Sequence, residues 1–201
     1  MKKVVVVILL ISMLLSFMIP IIANAAPDDL VLSSGNALEA LGVLVGNDDG
    51  DLMLDKKLYR QDMVVLISRI YREEAKAKAL FLRPQFTDIT DDYSYYEPYI
   101  GWAVNKGLIK GIGNNKFGID KNVTAQQYMA VLLRVLGYKE ESRLWNTVSD
   151  LAIKLGIMQG LDVDSNAEIT RGQMAIMTMN TLRLTLKGST LTLADKLNLK
   201  L

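Results

Sequence analysis

A glycine-bounded turn of five residues recurs three times in this 201-residue chain, and that recurrence restricts the possible folds more than any other feature. The copies are Gly42-Val43-Leu44-Val45-Gly46, Gly107-Leu108-Ile109-Lys110-Gly111 and Gly156-Ile157-Met158-Gln159-Gly160. A second landmark follows each: Leu58-Tyr59-Arg60, Val123-Thr124-Ala125 and Ile169-Thr170-Arg171. The interval from the first Gly to the last landmark residue is equal in the first two copies and three residues shorter in the third. A chain built this way is a set of similar units, each too small to bury an apolar face without its neighbours.

The periodicity on both sides of the turn is helical. Tyr99, Ile100, Ala103 and Val104 precede the second turn, and Val148, Leu151, Ala152 and Leu155 precede the third. After the second landmark come three apolar stripes: Met63, Val64, Ile67, Ile70 and Tyr71; then Tyr128, Met129, Leu132, Leu133 and Leu136; then Met174, Met177, Thr178 and Leu182. Gly42, Gly107 and Gly156 stand where a helix ends in a left-handed residue. Each unit therefore reads as helix, loop, helix. The expected fold class is all-α, three such units sharing one core. Their boundaries are expected at 26–80, 81–141 and 142–187, with a tail over 188–201 whose leucine spacing suits a short strand or a helical turn.

Two helix starts carry capping boxes. Thr124-Ala125-Gln126-Gln127 and Thr170-Arg171-Gly172-Gln173 place a hydroxyl and a glutamine where orphan backbone N–H groups need acceptors. In the first copy Tyr59 replaces the threonine. Arg60 and Arg171 are not explained by capping, since a cation in the first turn opposes the helix dipole by about 0.3–1 kcal/mol. An anion held between the guanidinium and free N–H groups reverses that sign.

Composition removes whole classes of chemistry. The chain has no Cys and no His, which excludes disulfides, thiol redox centres, Cys/His zinc sites and imidazole-dependent catalysis. Lys+Arg is 23 against 22 Asp+Glu, so no basic excess points to nucleic acid. At the start, Lys2-Lys3, the apolar run Val4 to Ala23 and the small residues Ala23-Asn24-Ala25 predict a signal peptide over 1–25. The same run is close to the ~20 residues that span a bilayer. A membrane association follows only if that leader stays uncleaved.

These residues resemble the S-layer homology (SLH) family. The fullest match is the second copy: Phe86-Thr87-Asp88, Tyr95 where the family usually has Trp, Tyr99-Ile100, Ala103, Gly107 to Gly111, Phe117 and Val123-Thr124. The hallmark I-T-R-A-E stands as Ile169-Thr170-Arg171-Gly172-Gln173 in the third copy. It is altered to Leu58-Tyr59-Arg60-Gln61-Asp62 and Val123-Thr124-Ala125-Gln126-Gln127 in the others. The resemblance implies a pseudo-threefold all-helical assembly of three repeats, in a non-enzymatic protein exported to the cell wall or outer surface, without cofactor or metal. Its partner would be secondary cell-wall polysaccharide, often pyruvylated and therefore anionic, held in grooves between repeats. It implies ligand-binding roles for Arg60 and Arg171 and turn-closing roles for Gly46, Gly111 and Gly160. Lys110, near the second loop, and Tyr95, a stacking face, are candidates for the same ligand. Ala125 lacks the guanidinium, and the F-x-D opening is missing from the first and third copies. An alternative reading is an interaction module that docks another envelope protein after losing its sugar grooves.

Other signals are set aside. Asp162 to Ile169 imitates a calcium loop, yet Ala167 replaces the turn glycine and Gln173 the bidentate acid. Asp88, Asp91, Asp92 and Glu97 could supply carboxylates for glycoside hydrolysis, but nothing fixes two of them across a cleft; Asp88 is expected to cap a turn. Trp145 and Trp102 are sugar-stacking candidates, with Trp102 beside the apolar stripe and so a core residue as well.

Overall fold

Helix-forming segments and left-handed glycines alternate along the chain much as the periodicity requires. The computed structural model describes residues 27–80, 82 and 85–201; the expected signal peptide lies outside the described residues. The α-helices are α1 (Pro27–Ala40), α2 (Arg60–Ile70), α3 (Glu74–Leu80), α4 (Glu97–Asn105), α5 (Ala125–Val135), α6 (Val148–Leu155), α7 (Arg171–Arg183) and α8 (Leu193–Lys196). Among the described residues there is no β-strand, only isolated bridges, so the fold class is all-α. No described helix is long and apolar enough to cross a membrane.

Gly42, Gly107 and Gly156 adopt φ of 69°, 69° and 95°, the left-handed conformation that ends each copy's first helix or its final turn. Helix α5 is capped at Thr124, whose hydroxyl accepts from the Gln127 N–H, and α7 carries a complete capping box between Thr170 and Gln173. Helix α2 starts at Tyr59 with no side-chain cap.

The apolar stripes predict that each helix buries a face; the structure adds which neighbour covers it. Helix α1 packs on α7, α4 on α2, and α6 on α5. Each copy's first helix therefore lies against the second helix of the copy before it, with the first copy closing onto the third. The second landmarks meet at the centre. Leu58 N–H donates to Ile169 O (3.0 Å), Ile169 N–H to Val123 O (2.9 Å) and Val123 N–H to Leu58 O (2.9 Å), a closed ring of three hydrogen bonds among residues with no exposed surface. Buried backbone groups must find partners; here each copy satisfies the next. Tyr128, Met63, Ile67, Met174 and Met177 fill the surrounding core.

Two elements go beyond the helix–loop–helix expectation. Helix α3 occupies the long linker after the first copy and packs on α4, burying Ala77. The tail forms α8, started by a Thr192–Asp195 capping box, and not a strand. Leu193 N–H donates to Leu184 O, and Leu193, Ala194 and Leu199 join the core.

Candidate functional site

The three loops and the three second helices create three grooves, and the sequence-predicted residues divide among them. In the first, Gly46 and Val45 of the loop face Asp62 and Arg69 of α2, with Arg171 from α7 on one side and Tyr95 and Tyr96 on the other, around about 210 Å³. In the second, Lys110 and Gly111 face Gln127 and Arg134 of α5, with Arg60 and Trp145 on the flanks, around about 280 Å³. Gly160 belongs to the third, about 780 Å³, where Gln173 and Ile176 of α7 face Asp28 and Val31 of α1. The seven candidates thus form no single site.

The glycines are required by backbone proximity. A Cβ on Gly111 would stand 2.5 Å from Lys116 O and 2.6 Å from Phe86 Cε1, and one on Gly46 2.8 Å from Asp51 O. Gly160 differs: its φ is +80°, and a Cβ there would stand 2.5 Å from Leu30 Cδ2 of α1.

Both arginines reach out of their own copy and into the next loop. Arg60 is 5% exposed; its Nε donates to Phe117 O (3.1 Å), Nη2 to Lys110 O (3.1 Å) and Nη1 to Gln127 Oε1 (3.3 Å), and the guanidinium lies 5.1 Å from the Phe117 ring centre. Burial lowers its pKa to about 10, with Asp88 opposing the shift, so it stays cationic at neutral pH. Arg171 repeats the pattern on the first loop, Nε to Leu52 O (2.9 Å) and Nη2 to Val45 O (3.0 Å), and is half-buried.

This corrects the expectation that first-turn N–H groups are free for an anion. Arg60 N–H donates to Lys121 O, Ala125 N–H to Ala167 O and Arg171 N–H to Lys56 O, while the Gln126 and Gly172 N–H groups go to Ser165 O and Leu54 O. The neighbouring loop's carbonyls offset the helix dipole and hold the arginines as well. Gln127 is also diverted from a complete capping box, since its Oε1 accepts from Arg60.

Position 125 shows how the missing arginine is replaced. The carbonyl in the third loop that corresponds to Lys110 O is Gln159 O, and Asn180 Nδ2 of α7 donates to it (2.8 Å) and to Ile157 O (3.1 Å). Arg134 occupies the matching position on α5 and donates from Nη1 to Leu108 O (2.9 Å) and from Nε to Ser142 Oγ (3.1 Å). Neither residue was singled out from the sequence. The signal was there, in the polar residue nine positions after each landmark: Arg69, Arg134 and Asn180.

The electrostatics of the grooves differ. In the first, Arg69 pairs with Glu74 (3.2 Å), and Asp62, its carboxyl pushed up by burial, accepts from Tyr96 (2.9 Å). The second is lined by Arg60, Lys110 and Arg134 with no carboxylate in its wall, and its Trp145 ring is 51% exposed. Tyr95, 54% exposed, offers a face at the first groove, stacked edge-on against Tyr96. Trp102 is a core residue, 1% exposed, with Nε1 donating to Glu73. Asp88 does cap a turn: it accepts from the N–H groups of Phe117 (2.7 Å), Gly118 (2.7 Å) and Ile119 (3.2 Å). Among the described residues no acidic cluster able to hold a metal ion occurs.

The comparisons with known proteins agree with the motifs. The family model of the S-layer homology domain matches residues 85–128, the copy with the fullest motif. The middle cell wall protein of Brevibacillus brevis is 28% identical over 151 residues, 74% of this chain and 14% of that protein. The cell surface protein of Thermoanaerobacter kivui is 29% identical over 152 residues, 75% of this chain and 20% of its own length. The surface layer protein of Brevibacillus choshinensis is 28% identical over 127 residues, covering 62% and 11%. The chain thus spans a fifth or less of the length of these relatives. With its turn glycines, its Asp88-capped loop and its capped second helix in place, segment 85–128 matches the S-layer homology domain, and about three quarters of the chain is similar to cell-wall and cell-surface proteins.

Proposed function

We propose that this protein is exported to the cell surface behind its signal peptide and associates, without catalysis, with anionic secondary cell-wall polysaccharide. The reading treats residues 26–80, 81–141 and 142–187 as three SLH repeats about the central hydrogen-bond ring, a pseudo-threefold assembly. Support for the location comes from relatives named for the cell wall, the cell surface and the surface layer.

The observation that carries the ligand class is the second groove. Arg60 and Arg134 are held by neutral oxygens, so their charge is not cancelled by a bonded carboxylate, and Lys110 stands exposed at the rim. Such a site favours a carboxylate, including the pyruvyl group, at the cationic wall. The exposed Trp145 ring offers the apolar face that a sugar ring needs. Arg60 supplies charge and builds the wall; Lys110 is the residue free to move to the ligand. The first groove, with Arg171, Gly46 and Tyr95, is a weaker version because Asp62 stands in it.

Co-sedimentation with purified sacculi tests this. Lys110→Glu/Trp145→Ala, both at exposed side chains, should cut retention at least about tenfold, equivalent to ~1.4 kcal/mol, without moving the thermal midpoint. Parental retention of that variant, or equal retention on sacculi stripped of secondary polysaccharide, overturns the reading.

A further inference from the structure

The third groove departs from the other two at every position that distinguishes them. Where Arg60 and Arg171 stand over the loops of the second and first copies, Ala125 stands over the loop of the third, with its N–H on Ala167 O. Where Trp145 leads into α6 and Tyr95 and Tyr96 into α4, the corresponding wall at α1 is made by Asp28 and Val31. The charged residues that line this groove are Asp28, Asp55 and Asp162, all exposed, and no cation is among them. Its floor is aliphatic: Val31, Leu54, Leu161, Val163 and Ile176.

Such a groove repels an acidic glycan and offers no aromatic face. Of the polar side-chain groups that remain, the Thr170 hydroxyl and the Gln173 amide oxygen close the capping box of α7. An aliphatic floor rimmed by one sign of charge matches aliphatic side chains interspersed with the other sign. The groove also continues. A second cavity of about 440 Å³ shares Leu161, Asp162 and Val163 with it and runs on past Met158 to Ile153, which is 58% exposed. Two adjoining cavities on one strip suit an extended ligand longer than a single sugar or ion.

We infer that the third groove, with its extension toward Ile153, is a docking site for a polypeptide segment that alternates aliphatic and basic side chains. The aliphatic groups lie on Leu54, Leu161 and Val163, and the ammonium or guanidinium groups lie against Asp28, Asp55 and Asp162. The inference needs only this groove and is independent of whether the other two hold polysaccharide. The molecule then carries two kinds of groove, a cationic one lined by Arg60, Lys110 and Arg134 and an acidic one lined by Asp28, Asp55 and Asp162.

The probe is a fluorescein-labelled twelve-residue peptide of alternating leucine and lysine, read by anisotropy against the same peptide with glutamate for lysine. The protein should bind the lysine peptide saturably at one site and the glutamate peptide at least about tenfold more weakly. Asp55→Lys/Asp162→Lys should weaken lysine-peptide binding at least about tenfold, while Asp48→Lys/Asp49→Lys, an equal charge change on another exposed loop, should leave it unaltered. No preference for the lysine peptide, an equal loss in both charge-reversed variants, or parental binding by Asp55→Lys/Asp162→Lys would each overturn the assignment. Lys110→Glu/Trp145→Ala should bind the peptide normally, so failure of the polysaccharide reading is measured separately.

Discussion

Truncating Arg60 to alanine removes three hydrogen bonds from a charged donor, those to Phe117 O, Lys110 O and Gln127 Oε1. At ~1.5–3 kcal/mol for each bond to a charged group, the gross loss is about 4.5–9 kcal/mol. Two terms oppose it. Burial that lowers the arginine from 12.5 to about 10 corresponds to roughly 3 kcal/mol of cost recovered on truncation. Removing a cation from the first turn of α2 returns a further ~0.3–1 kcal/mol. The net destabilisation is about 3 kcal/mol, which for a chain of this size lowers the thermal midpoint by about 6–12 °C. Arg171, half-buried and with two such bonds, should lose less than Arg60 on the same change. Lysine at position 60 should behave almost as badly as alanine, because one ammonium does not span carbonyls that a planar fork reaches together. Urea unfolding followed by far-ultraviolet circular dichroism, without any ligand, measures all three. A loss below about 1 kcal/mol for Arg60→Ala, or an equal loss for Arg171→Ala, would refute the view that the guanidinium fastens one copy to the next.

Other outcomes follow from the same geometry. Gly111→Ala should destabilise by about 1–3 kcal/mol, since its Cβ would press on Lys116 O and the Phe86 ring; calorimetry gives the value. Asp88→Ala should cost about 2–4 kcal/mol by leaving three backbone N–H groups without their acceptor. Burial alone would raise the Asp88 carboxyl, but those N–H groups hold it below its ordinary 3.8. Its contribution is therefore complete above that value and disappears as pH falls through the lowered one, an acid-side loss that Asp88→Asn should not show. Asp62 has the opposite sign. Burial raises it, so protonation on going down from neutral pH stabilises the fold, and Asp62→Asn should remove that dependence. The same variant makes the first groove more cationic, and sacculus retention should rise about two- to fivefold, as expected for ~0.3–1 kcal/mol from one partly exposed charge.

The parts of the fold legible in the sequence are those that depend on local physics. A left-handed residue after a helix calls for glycine, and Gly42, Gly107 and Gly156 are where the turns occur. A helix start calls for a hydroxyl, and Thr124 and Thr170 supply it. The Thr192–Asp195 box decides the tail for a helix over a strand, although leucine spacing alone leaves both open. Pairing is not local. A stripe such as Val148, Leu151, Ala152 and Leu155 says that α6 buries one face, not that the face belongs against α5 of the preceding copy. Helix α3 is short and charged, EAKAKAL, and buries only Ala77, so its apolar period is too weak to read as an element.

The candidate site was harder to read for a reason that also explains its chemistry. From the sequence, an arginine in a helix's first turn is an unpaired cation beside a positive dipole, and an external anion is the simplest remedy. In the structure the remedy is internal: the next loop turns Lys110 O and Phe117 O, or Val45 O and Leu52 O, toward the guanidinium. Those acceptors are neutral. The hydrogen bonds are satisfied by neutral groups and the charge is offset only by unbonded carboxylates, Asp88 for Arg60 and Asp62 and Asp51 for Arg171; burial within a groove makes that charge act over a longer range than it would in water. One side chain can therefore join two copies and polarise the cleft between them. Where the joint is made without charge, as Asn180 makes it at Gln159 O and Ile157 O, the cleft is free to take the opposite sign, and in the third groove Asp28, Asp55 and Asp162 supply it.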